Sequence, residues 1–134
     1  ADLMPLYMFN AYGASLAWIE RDRPLLRDTV AAMIEANRTM YREPGKAIAA
    51  IMDATKKPKD AIEYAIGVLT KNCVWSVNEG LEPKRTQWSI DNSVENGDIK
   101  RDSKPTVDQV ANIALAKEAV EKAGGRVTIG NCAI

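Results

Sequence analysis

The stretch "RPLLRDTVAAMIEANRTMYRE", residues 23 to 43, decides the fold, because it is the best helical pattern in the chain. Its apolar residues recur at the spacing of one helix face, and most of its charged residues fall on the other side. Pro24 is compatible with the helix because proline is tolerated in a first helical turn, whereas Pro44 ends the helical pattern. We therefore predict one long amphipathic helix over residues 23–43. Its apolar stripe consists of Leu26, Val30, Met33, Met40 and Tyr41, and its mostly exposed charged side consists of Arg27, Asp28, Glu35, Arg38 and Arg42.

Asn37 lies on the apolar stripe of this helix, between Met33 and Met40. A buried amide must find hydrogen-bond partners, so we predict that Asn37 bonds to the backbone of a loop. Contact with a ligand is the alternative.

Further helices are predicted on both sides of the long one. A Ser that can cap a helix starts a short one over residues 15–20, and two prolines stand in first turns downstream. Thr106 and Gln109 form a capping-box pattern at the start of the last helix. The downstream helices are predicted at residues 45–54, 58–71, 82–96 and 106–123, and the final "RVTIGNCAI" reads as a short strand or an extended arm.

An apolar loop, "CVWSVNEGLEP" at residues 73 to 83, interrupts the helices. We predict a packed connection in which the apolar residues cover the helices, while Asn78 and Gly80 supply the turn. The alternative is that Trp75 and Trp88 form an aromatic platform for a ligand.

The beginning of the chain has the pattern of a β-strand and not that of a helix. In "LMPLYMFNAYG", residues 3 to 13, apolar side chains occupy both alternating faces, which predicts a buried central strand at residues 4–11. Such a strand needs partner strands that the helical remainder does not supply, so the rest of its sheet is expected outside this chain. Asn10 and Tyr12 follow the strand at its carboxyl end, where open α/β sheets bind ligands, and they are the candidate ligand-binding residues.

Composition excludes several classes of function. The chain has 18 basic and 18 acidic residues and no histidine, so we expect no nucleic-acid partner, no metal site and no imidazole-based catalysis. No catalytic constellation or cofactor motif is present, and neither a signal peptide nor a membrane anchor is recognisable. Cys73 and Cys132 lack the spacing of a zinc site, which leaves a disulfide or two buried thiols.

The order of these segments resembles the C-terminal third of type II periplasmic solute-binding proteins of ABC importers, in the branch that binds nitrate, sulfonates and taurine. The residues that carry the resemblance are "NAYGASLAWIERDRPLLRDTVAAMIEANRTMYREPGKAIAAI" (10–51), "VWSVNEGLEP" (74–83), "SVENGDI" (93–99) and "KPTVDQV" (104–110). The tail "GGRVTIGNCAI" does not match the family. The resemblance implies that residues 1–134 form one C-terminal segment of a larger α/β protein whose first two-thirds and signal peptide are absent. The segment itself is predicted to be mostly α, with five to six helices and one or two short strands.

The resemblance implies binding without chemistry. We expect a small organic or oxyanion ligand in a cleft between two lobes, ABC permease subunits as partners, no cofactor and a periplasmic or other extracytoplasmic location. An oxidising compartment favours a Cys73–Cys132 disulfide, whereas the cytosol would keep two thiols. An uncovered strand face would let the isolated segment form a homodimer. An enzyme on the same scaffold, similar to a thiamine-pyrimidine synthase, and a freestanding helical interaction module are the alternatives.

Overall fold

The computed structural model of the chain describes residues 11–133. The strand predicted at residues 4–11 therefore lies outside the described residues, except for Ala11, which has no regular secondary structure. Between residues 11 and 133 the chain forms seven α-helices and no strand, which confirms the prediction of a mostly α segment. The helices are α1 (Leu16–Arg21), α2 (Arg23–Arg42), α3 (Pro44–Thr55), α4 (Lys59–Lys71), α5 (Pro83–Glu95), α6 (Val107–Val110) and α7 (Ile113–Lys122), with a 3₁₀ turn at Arg101–Ser103.

The helix boundaries follow the capping and proline signals of the sequence. Ser15 caps α1 by accepting a hydrogen bond from the backbone N–H of Trp18, and a proline stands in the first turn of α2, α3 and α5. Gly97 takes the left-handed conformation just after α5, with φ of +82°. The five helices α1 to α5 therefore begin and end within a residue or two of their predicted positions.

The prediction of a single helix at residues 106–123 is wrong, because the structure has two helices there. The structure divides it into α6 and α7, because Ala111 is extended and Asn112 caps α7. The Asn112 side chain accepts a hydrogen bond from the backbone N–H of Leu115 at 3.0 Å. An asparagine that satisfies the backbone at a helix start competes with helix continuation at that residue.

The first hydrophobic cluster joins α2 to α7. Ala31 and Ile34 of α2 pack against Ala119 and Val120 of α7, and all four side chains are buried. Ala31 and Ile34 are three residues apart, so they lie one turn from each other on a single helix face. This face is rotated from the predicted stripe, whose members Val30 and Met33 are only half-buried.

The second cluster joins α3 to α4 beneath the C-terminal end of α2. Ala47 of α3 and Ile62 and Ile66 of α4 form its buried centre, and Met40 and Trp75 pack against them. Partly buried side chains of α3 complete the cluster: Ile48, Ile51 and Met52. Ala65, which precedes Ile66 in α4, is exposed, so the buried face of α4 is narrow.

The C-terminal arm, residues 123–133, runs back over the other elements. Within the described residues it has no strand and only an isolated antiparallel bridge between Ile129 and Cys132. Of the two structures predicted for the C-terminal tail, a short strand and an extended arm, residues 126–133 form the extended arm. Among residues 11–133, no helix combines the length and the apolar character that crossing a membrane requires.

Candidate functional site

A groove of about 250 Å³ lies between α5, the segment after it and α6. On the α5 side it is lined by Ser89, Ile90 and Ser93, and on the opposite side by Ile99, Pro105 and Val110. Ala11, Leu81, Thr86 and Ala111 complete the described lining, in which no residue is charged. The groove is therefore a largely apolar concavity with hydroxyl groups on one wall.

The sequence of α5 builds that wall. Thr86, Ser89 and Ser93 are three or four residues apart, so successive turns present them on one side of the helix. Ile90 and Thr86 are buried and fix the helix in place. Small hydroxyl side chains leave an open groove where larger residues would fill it.

Ser89 stands out because its Oγ is buried and has no hydrogen-bond partner among the residues that the structure describes. Elsewhere in the helices, hydroxyl groups bond to the carbonyl oxygen four residues earlier, as Thr70 does to Ile66 at 2.7 Å and Thr86 to Glu82 at 3.1 Å. A buried hydroxyl without a partner costs free energy.

A second polar feature holds the 73–82 loop and the C-terminal arm to α2. Arg38 is 1% exposed, although its charge predicts an exposed position. That prediction is wrong because Arg38 lies four residues after Ile34, on the same buried face of α2. Its guanidinium donates to the carbonyl oxygens of Val77 at 2.9 Å, Gly125 at 2.7 Å and Ala123, and it pairs with the Glu35 carboxylate at 2.7 Å.

Asn78 continues this network from the loop. It is 2% exposed, so its side chain does more than supply the turn geometry predicted for it. Its side-chain amide donates to the carbonyl oxygens of Val127 at 2.9 Å and Ala133 at 2.8 Å, and its oxygen accepts from the Val127 N–H at 2.9 Å. Asn78 thus pairs with the extended arm as a neighbouring strand would.

The apolar residues next to Asn78 bear out in part the prediction that this loop packs on the helices. Val77 is fully buried and Trp75 packs on the α3–α4 cluster, whereas Val74 is 46% exposed. Asn37 donates to the carbonyl oxygen of Ser76 at 2.9 Å, which confirms the predicted bond to a loop backbone. Gly80 has φ of +69°, and a Cβ there would meet Ser76 Oγ at 2.6 Å.

A disulfide joins the same loop to the same arm. The structure bonds Cys73 to Cys132, with Cα atoms 5.3 Å apart, where the sequence had left a bridge and two free thiols as alternatives. Beside Cys132 lies a second cavity of about 420 Å³, lined by Tyr41, Thr70 and Lys71 on one side and by residues 129–132 on the other. Burial raises the pKa of the Tyr41 phenol, whose hydroxyl donates to the carbonyl oxygen of Trp75 at 2.6 Å.

Charge pairs lie on the surface around these features. Lys104 forms an ion pair with Asp91 at 2.6 Å, and Lys104 and Gln87 together hold the pKa of that carboxyl below its usual range. Arg23 bonds to Glu118 and lowers its pKa in the same way. Within residues 11–133 no group of three or more acidic or cysteine side chains is arranged to hold a metal ion.

The predicted ligand residues relate to the groove in different ways. Asn10 lies outside the described residues, and Tyr12 is 80% exposed, while Ala11 between them lines the groove. Trp88 lies half-buried on α5, whereas Trp75 belongs to the α3–α4 cluster.

Sequence reasoning missed Arg38, Asn78 and Ser89. The spacing of Arg38 from Ile34 was a usable signal, and the spacing of the α5 hydroxyls was another.

No family model, curated protein or solved structure matches this chain. The resemblance to periplasmic solute-binding proteins is therefore carried by the sequence segments alone.

Proposed function

We propose that the chain is the C-terminal segment of the solute-binding component of an ABC importer. In this role the whole protein holds a small organic or oxyanion ligand in a cleft between two lobes and delivers it to the permease subunits, with no chemistry on the ligand. The observation that carries the proposal is the order of the helices: a short helix, a long helix ended by proline, two further helices, an apolar connection and two more helical regions. That order is the one that the resemblance implies.

The disulfide gives independent support. A Cys73–Cys132 bridge is the form expected in an oxidising compartment, such as the periplasm in which solute-binding proteins act.

Isothermal titration calorimetry tests the proposal on two proteins, the 134-residue chain and the longer gene product that the proposal requires. Nitrate, taurine, an alkanesulfonate and an aminopyrimidine represent the ligand classes. We expect micromolar binding of one ligand by the longer protein and none by the 134-residue chain, because a two-lobed site needs both lobes.

Variants of the longer protein locate the site. Tyr12→Ala should weaken binding of that ligand, whereas Tyr64→Ala, at an equally exposed tyrosine on α4, serves as the matched control. Failure of the longer protein to bind any of the four classes would contradict the proposal. Micromolar binding by the 134-residue chain alone would contradict it as well.

A helical interaction module is the second candidate, and the outer flank of α4 is the observation that favours it. Tyr64 and Val68 lie one turn apart and are 76% and 42% exposed, with the exposed Ala61 and Ala65 beside them. Exposed apolar stripes of this kind mark interaction surfaces. Under this alternative the 134-residue chain self-associates through α4, and sedimentation velocity should show that Tyr64→Lys returns it to a monomer.

A further inference from the structure

We propose that the tip of the C-terminal arm, residues 128–133, is a redox-controlled strap. The Cys73–Cys132 disulfide closes the tip over the C-terminal ends of α2 and α4, and a dithiol reductant opens it. The base of the arm, residues 123–127, keeps its place when the tip opens. The strap lies wholly within the described residues, so the inference does not depend on the importer role.

The base of the arm is held by side chains of α2 and of the loop after α4. Arg38 donates to the carbonyl oxygens of Ala123 and Gly125. Asn78 bonds to both the N–H and the carbonyl oxygen of Val127, each at 2.9 Å. Both side chains are almost fully buried, so water does not compete for these bonds. Breaking the disulfide removes none of them.

The tip, in contrast, depends mainly on the disulfide. Other described elements donate hydrogen bonds to the tip through Asn78 at 2.8 Å and Arg126 at 3.4 Å, and both bonds reach the exposed Ala133. Water can replace such exposed bonds at little cost. The two backbone bonds between Ile129 and Cys132 lie inside the tip and do not attach it to anything else. Cys132 is the one buried residue of the tip.

Cys73, at the other end of the bridge, has an unfavourable backbone conformation. It follows α4 with φ of +51°. Its N–H donates to the Thr70 carbonyl oxygen at 3.1 Å, and the N–H of Val74 donates to that of Leu69 at 3.0 Å. This pattern at a helix end normally has glycine at the left-handed position, because a Cβ there is costly. Strained disulfides are the ones most readily reduced, so the bridge is suited to opening.

Opening the tip changes the second cavity. Residues 129–132 form one side of this cavity, and the other side consists of Tyr41, Thr70 and Lys71 near the ends of α2 and α4. When the tip leaves, one wall of the cavity is removed and the opposite wall faces solvent. The redox state of the bridge therefore decides whether this surface is covered.

The chemistry is a thiol–disulfide exchange with a dithiol. One thiolate of the dithiol attacks a sulfur of the bridge and forms a mixed disulfide, while the other cysteine leaves as a thiolate and takes up a proton. The second thiol of the dithiol then displaces the first cysteine. The dithiol ends as a disulfide, Cys73 and Cys132 end as thiols, and two electrons and two protons have passed to the protein.

Hydrogen exchange at single amides, measured by NMR on the oxidised chain and on the chain reduced with dithiothreitol, tests the strap. We expect the exchange of Ile129 and Cys132 to speed up by about tenfold or more on reduction and to approach the rate of an unstructured chain. Val127 in the base, and Ile34 and Val120 in the α2–α7 cluster, should stay slower than an unstructured chain by about a hundredfold or more. Loss of protection at all five residues together would mean global unfolding and would overturn the proposal. A tip that exchanges equally in the two forms would overturn it as well.

Two double variants isolate the contribution of the backbone at residue 73. Cys73→Ser with Cys132→Ser and Cys73→Gly with Cys132→Ser both lack the bridge, and they differ only at residue 73. Both should free Ile129 as reduction does. The Val74 amide should exchange roughly fivefold faster in the serine variant than in the glycine variant, because glycine favours the left-handed conformation. Equal exchange of Val74 in the two variants would overturn the role given to strain at Cys73.

The rate at which dithiothreitol reduces the oxidised chain separates local opening from global unfolding. We expect the same rate in water and in about 1 M urea, because attack on the bridge needs only local exposure. A reaction that required global unfolding would be faster by about tenfold in 1 M urea. Such an acceleration would overturn the proposal.

Discussion

Replacing Asn78 with alanine should remove the side-chain hydrogen bonds that this residue makes to the C-terminal arm, while the Cys73–Cys132 disulfide still joins the arm to the 73–82 loop. Asn78 makes three hydrogen bonds to the arm, two to Val127 and one to Ala133, at 2.8 to 2.9 Å. A hydrogen bond contributes about 1 kcal/mol net, and buried partners left unpaired cost at least as much. Ala133 is exposed, so water can replace Asn78 at its carbonyl oxygen, and only the two bonds to Val127 count in full. We therefore expect the free energy of unfolding to fall by about 2 kcal/mol.

Urea denaturation followed by circular dichroism measures this loss. With an m-value of about 1.5 kcal/mol/M, the midpoint should fall by roughly 1.3 M. Asn96→Ala is the matched control, because Asn96 is exposed at the end of α5 and should change stability by less than about 0.5 kcal/mol. Equal midpoints for the two variants would refute the reasoning that Asn78 carries the arm.

Three further predictions concern the disulfide, one glycine and one carboxylate. Thiol titration of the unreduced, denatured chain should find no free sulfhydryl, and reduction should lower stability by about 4 kcal/mol in the chain-entropy model, since the bridge spans 59 positions; two free thiols before reduction would contradict the bridge. Gly80→Ala should destabilise by about 1 to 2 kcal/mol because its positive φ and the nearby Ser76 leave no room for a Cβ, whereas Gly45→Ala, at an open and exposed position in α3, should stabilise by about 0.5 to 1 kcal/mol, and thermal melts compare the two. The pKa of Glu118 should be below its ordinary value, so its pairing stabilises the fold at neutral pH and is lost as the pH falls through that lowered pKa; carboxyl NMR titration should show that Arg23→Gln removes the lowering.

The helix boundaries could be predicted from the sequence because their causes are local. Pro44 ends α2, and Ser15 caps α1, and both effects depend on residues within one turn. Asn37 was predictable as well, since an amide on the apolar stripe of a helix requires a hydrogen-bond partner whatever the fold is.

Arg38 and Asn78 could not be predicted because their partners are distant in the chain. The carbonyl oxygens that solvate Arg38 come from residues 77, 123 and 125, and nothing local indicates that they converge. The break at Asn112 is a local effect that the apolar periodicity of residues 107–120 concealed.

The convergence on Arg38 also bears on the order of events during synthesis. Two of the carbonyl partners of Arg38, those of Ala123 and Gly125, follow it in the chain by 85 and 87 residues. A nascent chain in which these residues are still inside the ribosome would have to bury a guanidinium without its acceptors, which is costly. The long helix can form before then, but its packing against the loop and the arm must wait until the arm has left the ribosome. Burial of Arg38 is thus expected to be a late step in the folding of this segment.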